Sequence, residues 1–219
     1  MLAEWESRYV HGIALRKTPL GKLRQYYSWN ERAWPKQAFW MTFVSNCDKN
    51  AWDGTQNEQF GECLDSAIVL SVLGEGLPLI HNGQEAGETK RLQFFERDPI
   101  DWQPHYIGKL YRQLLMLRKR LTALHNGECG ATMLQVLTNH NDKVFAFVRR
   151  NNEHAVLVVL NFSDEALAIN MQSELIHGVW QEWILPSATE QFAAGMTAKI
   201  NQPLNINAWR YKVFIQQTP

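Results

Sequence analysis

Apolar positions along this chain change period several times. Met41-Thr-Phe-Val-Ser alternates apolar and small polar residues and breaks at Asn46, which predicts a buried strand emptying into a polar loop. Leu64, Ala67, Ile68, Ser71 and Val72 then recur at helical spacing over Cys63 to Leu73. A second short apolar run, Leu77 to Ile80, ends in a turn on Asn82-Gly83. Strand, helix and strand of these lengths form a βαβ unit, so the two strands should run parallel and open their C-terminal ends on one side. Further on, Leu110, Leu114, Leu117 and Leu121 lie on one helical stripe, with Arg112, Arg118, Lys119 and Arg120 expected on solvated faces.

Past Asn126-Gly127 and Gly130 the period becomes that of short strands. Val144 to Val148 alternates, Val156 to Leu160 is continuously apolar, and Asn161 to Asp164 turns the chain. Ala166 to Asn170, Val179 to Leu185 and Trp209 to Ile215 continue the series, the last placing Trp209, Tyr211, Val213 and Ile215 on one face. Strands at this spacing predict an antiparallel sandwich. The fold class expected is therefore α/β followed by all-β, with domains at 1–126 and 127–219. Trp180 and Trp183 are candidate exposed aromatics, but their spacing puts them on opposite faces and favours packing.

The N-terminal stretch is less regular. Met1 to Ser7 reads as the end of a strand, Tyr9 to Thr18 shows no clean period, and Leu20 to Asn30 reads as a short helix carrying Leu23, Tyr26 and Tyr27. Tyr26, Tyr27, Trp29 and Trp34 are candidate stacking platforms for a ligand, with packing beneath a loop the favoured account.

Composition narrows the function classes. With 45% hydrophobic and 20% charged residues the chain can bury a sizeable core. A formal net charge of zero gives no electrostatic case for nucleic acid or an anionic membrane. Cys47, Cys63 and Cys129 are too widely spaced for a zinc or disulfide framework, so neither metal nor cofactor is expected. Three unpatterned thiols favour reducing surroundings and a cytoplasmic location. No apolar run has the length to span a bilayer.

Candidate chemistry gathers at the first strand's mouth, where Asn46, Cys47 and Asp48 follow one another and Trp52 lies in the next loop. Strand-end carboxylates suit catalysis because the strand is rigid and the loop beyond it can vary. The competing account is a solvated loop with an Asx-turn at Asn46 or Asp48. Trp52 either lines a subsite or caps the rim.

Phe-Val-Ser-Asn-Cys-Asp at 43–48 and Gly-Leu-Pro-Leu-Ile-His-Asn-Gly-Gln-Glu at 76–85 resemble two motifs of the α-amylase family, glycoside hydrolase family 13. Those patterns are Phe-x-x-Asn-His-Asp and Gly-x-Pro-x-x-Tyr-x-Gly-x-Glu, on the last two strands of the catalytic barrel. The resemblance implies a partial (β/α)8 (TIM) barrel followed by the family's C-terminal β-sandwich domain. It assigns Asp48 to transition-state stabilisation, and Asn46, Cys47 and Trp52 to substrate binding. Cys47 departs from the family histidine, and a thiol is a shorter, weaker donor. Leu2-Ala3-Glu4-Trp5 is similar to the motif carrying the general acid/base, which places that role on Glu4. The nucleophile's strand precedes that motif in the family and has no counterpart in these residues. Nor has the inserted loop domain that often binds calcium.

The resemblance thus implies hydrolysis of α-glucans or maltooligosaccharides by a catalytic set that these residues do not complete, with a separate chain supplying the missing half as one route to activity. A non-catalytic carbohydrate-binding or interaction module is the alternative. A complete hydrolase with another nucleophile would have to use Glu85 or Asp53. A barrel lacking strands should also present apolar edges.

Overall fold

The structure is a computed structural model describing residues 3–35, 37–183, 194–199 and 202–217. Two helices come first, α1 (Ala3–Ala14) and α2 (Leu20–Ala33). The expected strand end at Glu4 is therefore corrected, since Glu4 lies in the first turn of α1. The aperiodic stretch is helical for a legible reason: Ser7, Val10 and Ile13, three apart, are all buried, while His11 and Gly12 dilute the pattern between them. Ser7 Oγ donates to Val44 O at 3.2 Å, which fixes α1 beside the first strand.

That strand, β1 (Met41–Phe43), pairs in parallel with β2 (Leu77–Leu79), with Met41 opposite Leu77 and Phe43 opposite Leu79. Between them run a short α3 (Gln56–Phe60) and α4 (Leu64–Leu73), so the βαβ reading holds. Gly76, immediately before β2, has φ 134°, and a Cβ there would lie 2.6 Å from Thr42 Cγ2. Only glycine lets the two strands approach this closely. From Leu64 to Leu73 only Asp65 is not buried, so α4 is enclosed on all sides. α5 (Tyr106–Arg120) buries Leu110, Leu114 and Leu117 as expected, with Leu121 just beyond it.

Arg118 corrects the expectation of a solvated basic face. It is 9% exposed, and its guanidinium donates to Val72 O (2.6 Å), Gly74 O (3.2 Å), Gly76 O (2.6 Å) and Asn126 Oδ1 (2.9 Å).

The second half forms a six-stranded antiparallel sheet in the order β3-β4-β5-β10-β7-β8, where β3 is Met133–Val136, β4 Val144–Arg150, β5 His154–Asn161, β7 Val179–Trp183, β8 Ala194–Lys199 and β10 Tyr211–Gln217. A two-stranded layer of β6 (Leu167–Ile169) and β9 (Leu204–Ile206) covers one face. The expected extension of β7 through Leu185 falls outside the described residues at positions 184 and 185.

Alternation in β4 and β5 serves two cores. Val144, Ala146, Val148, Leu157 and Val159 pack with Leu167, Ile169, Ile206 and Trp180 beneath β6 and β9. Phe145, Phe147, Val156, Val158 and Leu160 face the other way, into one cluster shared with α1, α2, α4 and α5. A sheet buried on both faces explains the continuous apolar run at 156–160. Trp180 and Trp183 do point to opposite cores, and both are buried. Trp209 is not part of β10, because its φ is +57°, yet it joins Tyr211, Val213 and Ile215 at the helical core.

Arg149 joins the two halves. It is 1% exposed on β4 and donates to Ala131 O, Leu73 O, Gly74 O, Leu124 O and His125 O at 2.5–3.3 Å. Burial, and then the Arg118 charge, hold its pKa down at about 10, so it remains a cation at neutral pH. Arg149→Met should cost about 3 kcal/mol or more, because it orphans several buried carbonyls at ~1–3 kcal/mol each. Arg149→Lys should recover only part of this, since an ammonium lacks the five-donor fork. Urea denaturation measures both, and a loss under about 1 kcal/mol for Arg149→Met would contradict the clamp.

Candidate functional site

Parallel pairing brings the ends of β1 and β2 to one side, with Asn46 three residues past Phe43 and Asn82 three past Leu79. The chain after β1 coils into a short helical turn, Lys49–Asp53. Asn46 initiates it, with Oδ1 accepting from Lys49 N (2.8 Å) and its carbonyl from Asn50 N (2.9 Å). The Asx-type turn is thus present, and it takes up the Asn46 acceptor. Cys47 and Asp48 are exposed immediately before this turn. Asp48 makes no side-chain capping bond.

Trp52 is 61% exposed, with its ring 5.8 Å from Phe94, which meets Phe95 edge-on at 4.9 Å. Asn46, Cys47, Asp48 and Trp52 thus lie in one seven-residue stretch past β1, the rim. Glu4 lies in α1, and the position of its side chain is outside what is described. Of the other carboxylates weighed, Asp53 is held by Lys49 at 2.6 Å, and Glu85 keeps a buried oxygen without a partner.

Sequence reasoning missed the polar floor beneath this rim. Gln84 Nε2 donates to Gln56 Oε1 (3.1 Å) and Tyr111 Oη (3.2 Å), Gln84 Oε1 accepts from His81 N (2.7 Å), and Gln56 Nε2 donates to Gln84 O (3.2 Å). Asn50 bridges to the following loop, donating to Lys90 O (3.3 Å) and accepting from Leu92 N (2.7 Å). The available signal was the recurrence of amides past the two strand ends, Asn50, Gln56, Gln59 and Gln84, all of them buried in the structure. A cavity of about 10 Å³ among Ser45, Asn50, Gln56, His81 and Gln84 is water-sized. Burial holds the His81 pKa below its ordinary value, opposed by Glu85. The site is thus an open rim of exposed groups on a rigid amide floor. No cluster of metal-ligating side chains occurs among the described residues, and all three thiols are free. No described helix is long and apolar enough to cross a membrane.

Comparisons place this architecture among known proteins. Residues 134–191 match the family profile described as Maltogenic Amylase, C-terminal domain. A noncanonic maltogenic α-amylase, AmyB from Thermotoga neapolitana, superposes with a TM-score of 0.77 at 16% identity, covering 97% of this chain and 50% of its own. An α-amylase from Geobacillus thermoleovorans gives 0.71 at 14% identity, covering 98% of this chain and 46% of its own. A cyclomaltodextrinase gives 0.71 at 16% identity, over 96% and 36%. This chain thus spans half or less of these proteins, and at such identities the likeness is one of fold. No curated protein sequence matches it.

A capping box fixes the loop behind the rim. Thr55 accepts from Glu58 N, Glu58 accepts from Thr55 N, and Arg91 grips Glu58 through two bonds of 3.0 and 3.1 Å. Arg91, followed by the Thr55 backbone, holds the Glu58 pKa down to about 2 from an ordinary 4.5. A depressed carboxylate contributes stability that is complete above about pH 4.5 and is lost as pH falls toward 2. The Glu58 carboxyl carbon resonance should titrate near 2 and return toward 4.5 in Arg91→Gln. A midpoint unchanged by that substitution would contradict the pairing.

Proposed function

From the likeness of this chain to the C-terminal half of α-amylase-family proteins, we propose that residues 1–126 form the closing part of a (β/α)8 catalytic barrel and residues 127–219 its C-terminal β-sandwich domain, in a glycoside hydrolase acting on α-glucans. The observation that carries this reading is the fold match along nearly the whole chain, with the family-profile match inside it.

In this reading Asp48 stabilises the positive charge that develops on the sugar ring, from a strand end that the β1–β2 pairing keeps rigid. Asn46 and Cys47 contact substrate hydroxyls beside it, Asn46 through the amide group that its turn leaves over. Trp52 stacks on a sugar face, supported by Phe94. Glu4 acts as general acid/base; its helical position removes the strand-end argument, so this role rests on motif order alone. Retaining hydrolysis needs two carboxyl groups about 5–5.5 Å apart, one of them the nucleophile. Because no residue here matches the nucleophile, these 219 residues hold the substrate without cleaving it. A second chain carrying the first barrel strands would complete the set.

The Trp52–Phe94–Phe95 shelf favours a second reading, a module that binds maltooligosaccharides without chemistry. The two readings part when the missing half is supplied.

The purified chain should hydrolyse neither starch nor maltooligosaccharides. Addition of a polypeptide carrying the family's first barrel strands should produce turnover that Glu4→Gln abolishes. Turnover by the chain alone would overturn the incomplete set, and none after addition would leave the binding module. In the reconstituted protein Cys47→His should raise kcat/KM about tenfold to a hundredfold, from a hydrogen bond worth on the order of 1–3 kcal/mol. Equal rates for the two forms would remove Cys47 from the sugar site.

A further inference from the structure

The tripeptide His-Asn-Gly occurs twice in this chain, at 81–83 and at 125–127. An asparagine followed by glycine is chemically labile, because no side chain shields the glycine nitrogen from the asparagine Cγ. Both copies need their glycine. Gly83 has φ +92° and Gly127 φ +63°, a region that other residues rarely adopt. At Gly83 a Cβ would also lie 3.1 Å from the Glu88 Cβ. The lability is thus a by-product of the turn that follows β2.

The two copies differ in what holds the asparagine. Asn126 is clamped, its Oδ1 accepting from Arg118 Nη2 at 2.9 Å and from Gly76 N at 3.3 Å. Asn82 is exposed, and its side chain has no hydrogen-bond partner among the described residues. The Gly83 N–H has none among them either, because the turn closes through other groups. Gln84 N donates to His81 O at 3.1 Å, and Gly83 O accepts from Ala86 N (3.1 Å) and Glu88 N (2.9 Å). A water-sized space of about 10 Å³ is lined by both Asn82 and Gly83, so water has room beside the pair.

We propose that Asn82 is a site of spontaneous deamidation, from which Asn126 is protected by the Arg118 clamp. The Gly83 nitrogen gives its proton to water and bonds to Asn82 Cγ, while the Cγ–Nδ2 bond breaks and ammonia leaves. Water then opens the cyclic imide at one of its two carbonyls. Opening at Cγ leaves aspartate. Opening at the main-chain carbonyl leaves isoaspartate, whose backbone runs through Cβ and Cγ. In sum an amide and water become a carboxylate and ammonium, with no other reagent. Either product adds one negative charge beyond the end of β2, close to Glu88. The isoaspartate also lengthens the turn by one methylene. His81 N then cannot keep Gln84 Oε1 at 2.7 Å while Gln84 N keeps His81 O. Those two bonds seat the amide floor, so the floor loosens as the chain ages. This holds whether or not the rim binds sugar.

Peptide mapping by mass spectrometry tests this on the full chain, aged at mildly alkaline pH and physiological temperature. Asn82 should convert about tenfold to a hundredfold faster than Asn126, whose two bonds must break before its ring can close. In concentrated guanidinium chloride the two should convert within about twofold of each other, since the clamp is then gone. An isoaspartyl methyltransferase should label the aged chain at position 82, and Asn82→Gln should abolish that label. Near-UV circular dichroism establishes that the aged chain is still folded. Amide exchange at His81 and Gln84 should quicken with age, but not in Asn82→Asp, which adds the charge and keeps the backbone length. Equal rates at the two sites in the folded chain, or an Asn82 that converts only when unfolded, would overturn the proposal. A label at position 82 with unchanged exchange would refute the loosening of the floor.

Discussion

The structure depends on two buried guanidiniums meeting at one helix end. The last carbonyls of α4 have no partners within their own helix. Arg118 from α5 and Arg149 from β4 take them, and Gly74 O is shared by both. A buried cation is tolerated only where its donors are satisfied, and here backbone oxygens do this with Glu75 nearby. The arrangement sets the position of α4, hence of β2, and hence of the rim. It also joins the helical half to the sheet, together with the continuous apolar cluster that runs from Val10 to Val213.

The candidate rim inherits its rigidity from short pieces. β1 and β2 share only three paired positions, too few to be stable by themselves. Thr42 Oγ1 donating to Ser71 O, Ser7 Oγ donating to Val44 O, and the enclosure of α4 hold the pair in place. Beyond the strand ends the amides of Asn50, Gln56 and Gln84 take over, so the loops are braced by side chains where no ladder remains. The exposed groups at the rim are thereby fixed at their bases and open at their tips.

Much of this was legible in sequence where one period dominates. The helix at 64–73, the stripe through Leu110 to Leu121 and the strands at 144–148 and 156–160 follow from spacing alone. The candidates Asn46, Cys47, Asp48 and Trp52 were picked by position past the first strand, and the structure places Cys47, Asp48 and Trp52 at exposed positions there. What failed to show has physical causes. α1 was hidden because its buried stripe is narrow and includes Ser7. Arg118 looked solvated because a basic run gives no sign of which member turns inward to meet carbonyls distant in sequence. The amide floor was hard to recognise for a related reason: glutamines past a strand end read as surface until their partners, 28 residues apart, are known.

One corner of the sheet has a consequence for how the chain finds its register. Trp209 adopts φ +57°, a conformation a bulky residue holds only when its surroundings over-determine it. Its N–H donates to Ser163 O, its carbonyl accepts from Ser66 Oγ, and its indole lies in the helical core. β10 begins two residues later, so this corner gives the strand an origin. A slip of β10 by one residue against β5 would turn Val213 and Phe214 to the wrong cores. It would also pull the indole from its seat while the backbone strain remained. Misregistered pairings are thereby penalised at a single point, and β10, which follows both of its partners β5 and β7 in sequence, closes between them in one alignment.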